Sequence, residues 1–357
     1  MTTAVPRTDV GGRATTGGRT RAGRHPHDDR DLVVGIDIGG TKTAVLVCDR
    51  DGSSIVARSV APTALGSPEL VVERIAAVVE TALREGGATP DDVAAMGVGV
   101  PGRVDPAAGS VTLAVNLGWH DLPLGRTLEE RLGVRTILEN DVRAAALGLH
   151  RRRVFGNVES LAFLAIGTGI SSGVVLDGKL HRGATGLAGE IGHVVVDRNG
   201  PACACGLRGC FEAIAAGPAI AKAAHERGIP GVDGTNAEAV FAAAAAGDAG
   251  ARAAIEDAGR TVAWGIQLLA LAYDVERIVI GGGVTHSGEA FMAPVQRELD
   301  RFRAESALSD EILRPELVVL LPPGADAGAW GAVTVARGLL EDDVGVGDAH
   351  GLEVGHA

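Results

Sequence analysis

Residues 32–48 read LVVGIDIGGTKTAVLVC, in which two largely apolar, β-branched runs flank the turn Gly39-Gly40-Thr41. The hairpin signal Asp51-Gly52 follows closely, so the pattern predicts a strand, a glycine turn and a second strand. Glycines let backbone N–H groups approach a phosphate, and Asp37 at the end of the first strand can hold a Mg²⁺-bound water. A lone glycine turn is usually only a turn, so the stretch predicts a phosphate site only when other features support it.

The same layout returns in residues 163–178, which read FLAIGTGISSGVVLDG. An apolar strand, the turn Gly167-Thr168-Gly169, a second apolar strand and the pair Asp177-Gly178 follow one another in the same order. Such a repeat predicts two similar α/β domains that face each other across a cleft. Both turns become candidate sites for ATP phosphates, and the residues concerned are Gly39, Gly40, Thr41, Lys42, Gly167, Thr168 and Gly169.

A third glycine cluster lies in residues 278–284, which read IVIGGGV. A buried strand that runs into Gly281, Gly282 and Gly283 offers backbone on which a nucleoside can lie flat. The cluster lacks the Gly-Lys-Ser/Thr ending of a P-loop and the spacing of a dinucleotide fingerprint. By itself it could be an ordinary loop, whereas together with the two turns it predicts a nucleotide site.

A metal site is predicted by one histidine and three cysteines that fall within eighteen residues: His193, Cys203, Cys205 and Cys210. Four such ligands saturate the tetrahedral geometry of Zn²⁺ and leave no position for a reacting water, so the zinc is predicted to be structural. It would fix Glu190 and Glu212, which lie on the same segment, against a ligand. The alternative is that the four residues lie close by coincidence.

Asp141 is the candidate proton acceptor. A short strand over residues 136–138 leads to Glu139-Asn140-Asp141 and a helix over residues 142–150, and ligands gather where strands of open α/β sheets end. An Asn or Asp before a helix is most often only an N-cap. Asn140 can take that role here, which leaves Asp141 free.

Composition excludes several classes of protein. The formal net charge of -12 over 357 residues argues against binding to duplex DNA, and no apolar run is long enough for a membrane span or a signal core. Three of the four cysteines lie in the metal cluster, and Cys48 is predicted to be a core residue. A cytoplasmic enzyme without nucleic-acid or membrane partners is therefore expected.

The domain prediction divides the chain into four parts. Residues 1–30 are predicted to be a disordered basic tail, which could also touch an acidic partner, and residues 341–357 a disordered tail. Residues 31–147 form a small α/β domain, completed by a C-terminal helix over residues 326–340. Residues 148–325 form a large α/β domain with the zinc loop 193–210. The stretch 326–336 is rich in Ala and Gly, which suits close helix packing near a hinge.

Together these stretches resemble the ROK family (repressors, open reading frames and sugar kinases) from about Val33 to Leu340. The motifs that carry the resemblance are Asp37–Lys42, Gly102-Arg103, Glu139–Asp141, Gly167–Gly169, Gly189–His193, Cys203–Glu212 and Gly281–Gly283. The resemblance implies a two-domain actin-like (ribonuclease H-like) ATPase fold with a central cleft, ATP with Mg²⁺ as cofactors, and a homodimer.

The resemblance also implies roles for individual residues. Asp141 would be the general base, and His193 with the three cysteines would bind zinc. The sugar would contact Gly102, Arg103, Asn116, Asn140, Asp141, Glu190, His193 and Glu212. If zinc holds one ring nitrogen of His193, the other can face a sugar hydroxyl.

Three functions remain open from the sequence. The first is an ATP-dependent kinase for the 6-hydroxyl of an aldohexose, with glucose as the leading acceptor and polyphosphate as an alternative donor. The second is an amino-hexose kinase that acts on kanosamine, N-acetylmannosamine or N-acetylglucosamine. The third is a sugar-responsive repressor, which is disfavoured because no helix-turn-helix pattern precedes the first glycine turn.

Overall fold

The computed structural model describes residues 31–340, so the two predicted tails lie outside the described part. Its strands are β1 Leu32–Ile38, β2 Lys42–Asp49, β3 Ile55–Pro62, β4 Val93–Val100, β5 Arg103–Asp105, β6 Ser110–Ala114, β7 Trp119–Leu122, β8 Thr136–Asn140, β9 Leu161–Ile166, β10 Ile170–Leu176, β11 Lys179–His181, β12 Arg277–Gly281 and β13 Val318–Leu320. Its helices are α1 Pro68–Glu85, α2 Leu124–Leu132, α3 Asp141–Arg151, α4 Phe211–Ala215, α5 Gly217–Glu226, α6 Ala237–Ala245, α7 Ala249–Tyr273, α8 Glu289–Glu305, α9 Ala307–Ile312 and α10 Ala327–Gly338. None of these helices is long and apolar enough to cross a bilayer.

Two five-stranded sheets share one topology. The first has the order β3-β2-β1-β4-β8 and the second the order β11-β10-β9-β12-β13. In each sheet the first three strands are antiparallel and the last two join in parallel. The repeat predicted from the two glycine turns is thus a repeat of whole sheets, as the predicted two-domain α/β fold requires.

Helices α3 and α10 connect the two halves. Helix α3 follows β8 of the first sheet but packs on the second, where a Cβ at Gly173 of β10 would lie 2.6 Å from the Val142 carbonyl oxygen. Helix α10 follows the second sheet but packs on the first, where a Cβ at Gly97 of β4 would lie 2.1 Å from the Ala332 carbonyl oxygen. The absence of a side chain at Gly173 and at Gly97 therefore lets each helix lie directly on the opposite sheet.

The two helices also cross each other closely. A Cβ at Gly148 of α3 would lie 2.7 Å from the Cα of Gly331 in α10, so the backbones touch where they cross. This crossing agrees with the close helix packing predicted from the Ala- and Gly-rich stretch near the C-terminus. The two helices that link the halves are therefore packed backbone against backbone.

Helix α1, strand β8 and helix α3 form where local sequence signals predicted them. Helix α1 begins after Ser67, whose Oγ accepts a hydrogen bond from the Leu70 N–H, and it has Pro68 at its first position. The strand predicted over residues 136–138 extends to Asn140, so the strand and α3 meet without a loop. Asp141 is consequently the first residue of α3.

Candidate functional site

Asn140 and Asp141 occupy the junction between β8 and α3. Asn140 caps the helix as predicted, since its Oδ1 accepts a hydrogen bond from the Arg143 N–H at 3.1 Å. Its Nδ2 donates to the Gly102 carbonyl oxygen at 3.2 Å, which joins two predicted sugar-site residues. Asp141 Oδ1 accepts a hydrogen bond from the Val142 N–H at 2.9 Å, and its other oxygen has no bond of this kind among the described residues.

Burial and like charges raise the pKa values of two aspartates in the cleft. The pKa of Asp37 is raised to about 7, first by burial and then by Asp141 and Asp326, while Lys42 lowers it. The pKa of Asp141 is raised to about 6, first by burial; the Val142 N–H lowers it and Glu190 raises it. A proton acceptor with a pKa this close to neutrality suits general-base chemistry.

Asp37, whose pKa is raised in part by Asp141 and Asp326, is also a candidate to meet a divalent cation, whereas Asp326 is paired with Arg58 at 2.6 Å. Carboxylate oxygens are the ligands that Mg²⁺ uses in phosphoryl-transfer sites, and a cation would relieve the repulsion that raises the pKa of Asp37. Asp37 near the end of β1 is therefore a suitable residue to hold Mg²⁺, directly or through water.

Glu190, His193 and Glu212 lie together on the second half. Burial raises the pKa of Glu190, His193 and Arg143 lower it, and Glu212 raises it again. Glu212 lies in the first turn of α4, where its Oε2 accepts a hydrogen bond from the Ile170 N–H at 2.8 Å. Ile170 directly follows the turn Gly167-Thr168-Gly169, so this glutamate connects the phosphate turn with the proposed sugar site.

The predicted zinc ligands converge. The ligand atoms of His193, Cys203, Cys205 and Cys210 all lie within 4.8 Å of one another. The Cys205 and Cys210 Sγ atoms are 3.6 Å apart, and His193 Nδ1 lies 3.7 Å from Cys203 Sγ. Tetrahedral zinc with bonds of about 2.3 Å separates its sulfur ligands by about 3.8 Å, so the donor set fits zinc. Because Nδ1 faces the sulfurs, Nε2 is the nitrogen that could face a sugar.

The two glycine turns differ in their surroundings. In the first, the Gly39 N–H donates to the Lys42 carbonyl oxygen at 2.9 Å, and a Cβ at Gly40 would meet no atom within 4 Å. In the second, the Gly217 N–H donates to the Gly167 carbonyl oxygen at 2.8 Å. The first turn is bonded to Thr63, whose Oγ1 and N–H donate to the carbonyl oxygens of Gly39 and Thr41 at 2.7 and 3.0 Å. The second is bonded instead to Gly217, beside the segment that carries the predicted sugar-binding residues.

The third glycine cluster lies beside the second turn. A Cβ at Gly282 would lie 2.3 Å from the Ile166 carbonyl oxygen, and one at Gly167 would lie 3.8 Å from the Gly283 nitrogen. Gly281 ends β12, which is the parallel neighbour of β9. The fold thus brings two of the three predicted nucleotide segments into contact, while the first turn belongs to the other sheet.

Arg103 and Asn116 lie in the small sheet β5-β6-β7 and its connecting turn, which the sequence did not predict. Both side chains are exposed, and no hydrogen bond or ion pair joins them to the other candidate residues in the part of the chain that the structure describes. Their assignment to the sugar site remains a prediction.

No role was predicted from the sequence for Glu139, Arg143 or Arg182. Glu139 of β8 and Arg143 of α3 are four residues apart but lie on different elements, so the spacing rule for ion pairs on one helix gave no signal. The second pair, between Glu139 and Arg182, joins residues 43 positions apart and had no local signal. These three residues form a buried network directly behind Asn140.

The ROK family profile matches residues 33–338, and the chain belongs to this family. A glucokinase of Streptomyces coelicolor is 31% identical over 323 residues, which cover 86% of this chain and 98% of that protein. An N-acetylmannosamine kinase of Escherichia coli is 34% identical over 309 residues, which cover 85% of this chain and 98% of that protein. The family predicted from the motifs is therefore confirmed.

A solved structure supports the same fold. The structure of a ROK family glucokinase from Streptomyces griseus in complex with glucose and AMPPNP matches with a TM-score of 0.72 and 32% identity. The match covers 86% of this chain and 99% of that one. The predicted actin-like α/β architecture is confirmed.

Proposed function

We propose that this ROK protein is an ATP-dependent sugar kinase that transfers the γ-phosphoryl group to the 6-hydroxyl of an aldohexose, with glucose as the leading acceptor. The observation that carries the proposal is the position of Asp141, a carboxylate with a pKa raised to about 6, between Asp37 of β1 and Glu190 on the segment after β11. A proton acceptor in a cleft between two phosphate-binding turns suits phosphoryl transfer to a hydroxyl.

In the proposed reaction Asp141 accepts the proton of the sugar 6-hydroxyl. The sugar oxygen forms a bond to the γ-phosphorus, and the bond between that phosphorus and the oxygen of the leaving ADP breaks. Mg²⁺ at Asp37 would neutralise charge on the phosphates. The turns Gly39–Thr41 and Gly167–Gly169 would supply backbone N–H donors to the phosphates.

The remaining candidates orient the sugar. Asn140, Glu190 and Glu212 can hydrogen-bond to hydroxyl groups, and His193 Nε2 can do so while Nδ1 is held by zinc. Zinc at the cysteine cluster would supply rigidity rather than reactivity, because the protein ligands fill its geometry. Glu212 uses Oε2 for the Ile170 N–H and keeps Oε1 for the sugar.

An amino-hexose acceptor is the second candidate, because an N-acetylmannosamine kinase is among the similar proteins at 34% identity. A sugar-responsive repressor does not need a proton acceptor with a pKa near neutrality, so we do not propose that function. The discriminating experiment is an ATP-consumption assay over glucose, mannose, glucosamine, kanosamine and both N-acetylhexosamines. We expect the highest kcat/KM with glucose; a higher value for an amino sugar would support the second candidate, and no turnover with any acceptor would refute the kinase proposal.

The proposal includes a cytoplasmic location and a homodimer. Thiolate ligands stay reduced in the compartment that also supplies ATP. Light scattering coupled to size-exclusion chromatography tests the dimer, which is expected at twice the chain mass of 36.2 kDa.

A further inference from the structure

Glu139 is a fully buried carboxylate that the proposed reaction does not use. It is the residue before Asn140 in β8, and its side chain is 0% exposed. Its Oε1 accepts hydrogen bonds from Arg143 Nε and from the Asn140 N–H, both at 2.9 Å. Its Oε2 accepts a hydrogen bond from Arg182 Nε at 2.7 Å. Both carboxylate oxygens are therefore held in fixed directions.

The partners of Glu139 connect the two halves of the molecule. Arg182 begins the segment 182–190, which we name the sugar loop because it ends at Glu190. Arg143, 2% exposed, donates from Nη1 to the carbonyl oxygen of Gly186 in the same loop at 2.7 Å. Two hydrogen bonds therefore hold the sugar loop. Arg182 of the loop donates to Glu139 of β8, and Arg143 of α3, which is itself bonded to Glu139, donates to the Gly186 carbonyl oxygen of the loop.

The same carboxylate contacts the site of the proposed base. Glu139 Oε1 accepts from the backbone N–H of Asn140, and Asn140 in turn caps the helix that begins with Asp141. A buried ion pair is a poor stabiliser compared with apolar packing, because both charges lose their hydration. Unlike an apolar side chain, the carboxylate accepts hydrogen bonds, and each of them has a fixed direction.

We propose that Glu139 is a positioning residue that holds the sugar loop, and with it Glu190, at a fixed distance from Asn140 and Asp141. The acceptor hydroxyl is then presented to the base by residues from both halves. This inference rests on the proposed function, because it assigns the sugar to Glu190 and the proton to Asp141.

The test compares Glu139→Gln, Arg182→Met, Arg182→Lys and the double variant Glu139→Gln/Arg182→Met with the wild-type chain. Arg182 is 27% exposed, so its replacement leaves the core intact. We expect Arg182→Met to raise the KM for the sugar about tenfold, the effect of one charged hydrogen bond, with the KM for ATP unchanged. Arg182→Lys keeps the charge and one donor and should restore part of the loss. The sugar KM of the double variant should be no higher than that of the more impaired single variant, because both changes break the same connection.

A second readout does not depend on activity. Amide hydrogen exchange of residues 182–190 should be faster in Glu139→Gln and in Arg182→Met than in the wild type. Leu83→Ala is the control, because Leu83 is buried in α1 and packs in the hydrophobic core of the first sheet, which contains no residue of the sugar loop. It should lower the melting temperature without changing the sugar KM or exchange in the sugar loop.

The outcomes separate the two proposals. A lower melting temperature with unchanged sugar KM and unchanged exchange of residues 182–190 would overturn the positioning role. A wild-type chain that phosphorylates no sugar would overturn the proposed function, whereas the exchange measurement would still decide whether Glu139 holds the loop.

Discussion

The two halves of the molecule have the same sheet topology but contribute different chemistry. In the first half, Asp37 and Asp141 lie directly at strand ends, at the carboxyl edge of the first sheet. In the second half, Glu190, His193 and Glu212 lie on a long insertion between β11 and α5 that also carries the cysteines. On the proposed function, the repeat would supply a phosphate turn in each half, whereas proton transfer would belong to the first half and most sugar recognition to the second.

The largest expected effect tests whether proton transfer belongs to the first half alone. Asp141→Asn removes the acceptor and should lower kcat by about 10²–10⁴-fold, while the sugar affinity measured by calorimetry stays within a few-fold. Asp177→Asn is the matched control, since Asp177 is exposed in the β10–β11 turn with φ 50°, a conformation that Asn tolerates. Near-normal turnover of Asp141→Asn would remove Asp141 from its role.

The next effect tests whether sugar recognition belongs to the second half. Cys205→Ala should reduce bound zinc, measured by elemental analysis, and weaken sugar binding by about tenfold or more, because Glu190, His193 and Glu212 lose their fixed support. ATP binding should change less. Cys48→Ala is the control: Cys48 is buried, its pKa is raised to about 12 by burial, and it lies in the first sheet. Unchanged sugar affinity in a zinc-free protein would contradict the proposed support.

A matched pair of substitutions compares the two glycine turns directly. A Cβ at Gly169 would lie 2.6 Å from Glu212 Oε2, whereas a Cβ at Gly40 would meet nothing within 4 Å. Gly169→Ala should therefore displace Glu212 and weaken sugar binding about fivefold, the loss of part of one hydrogen bond. Gly40→Ala should leave it unchanged. Calorimetry with sugar and without nucleotide makes the measurement, and equal affinities for both variants would show that the second turn is not coupled to sugar recognition.

The smallest expected effect concerns stability. The folded-state pKa of Asp37 is about 7 against an ordinary value of 3.8, so its ionisation is unfavourable in the folded protein. The free energy of unfolding is therefore unaffected by this group below pH 3.8, where Asp37 is protonated in both states. It falls as pH rises through about 7, because the folded protein must then bury the charged carboxylate. Asp37→Asn should thus be more stable than the wild type at pH 8, by about 1 kcal/mol after solvent screening, but not at pH 4.

The control for this effect lies on the neighbouring strand. Burial raises the pKa of Asp49, but the hydrogen bonds from Ser54 and Ser53 together outweigh it and lower the pKa to about 2. Asp49→Asn should therefore not raise stability at pH 8. Thermal unfolding in metal-free buffer measures both variants, and a destabilised Asp37→Asn at pH 8 would contradict the assigned cause.

Much of the fold was predictable because its signals are local. The repeated strand–turn–strand pattern, the N-cap at Ser67 and the cap at Asn140 all depend on residues within a few positions of one another. The zinc ligands likewise lie within one short segment, and the structure brings their ligand atoms together. These features depend on residues that are close in sequence, so sequence patterns could predict them without any knowledge of long-range packing.

What the sequence could not predict depends on distant partners. Arg182 pairs with Glu139 across 43 positions, and no spacing rule connects them. The contact between Glu212 and Ile170 spans 42 positions and joins two segments that were predicted separately. The roles of Arg103 and Asn116 also remain predictions, because no hydrogen bond or ion pair joins these exposed side chains to the other candidate residues in the part of the chain that the structure describes.

The exchange of α3 and α10 between the sheets has a consequence for synthesis on the ribosome. A face of β1 and β4 is covered by α10, whose last residue is Gly338, so this face stays uncovered until residues up to Gly338 have left the exit tunnel. Strands β9 to β13 lie within residues 161–320 and are complete earlier than that cover. Domains usually mature in the order in which they are translated. In this chain the N-terminal sheet can complete its packing only after α10 has been translated.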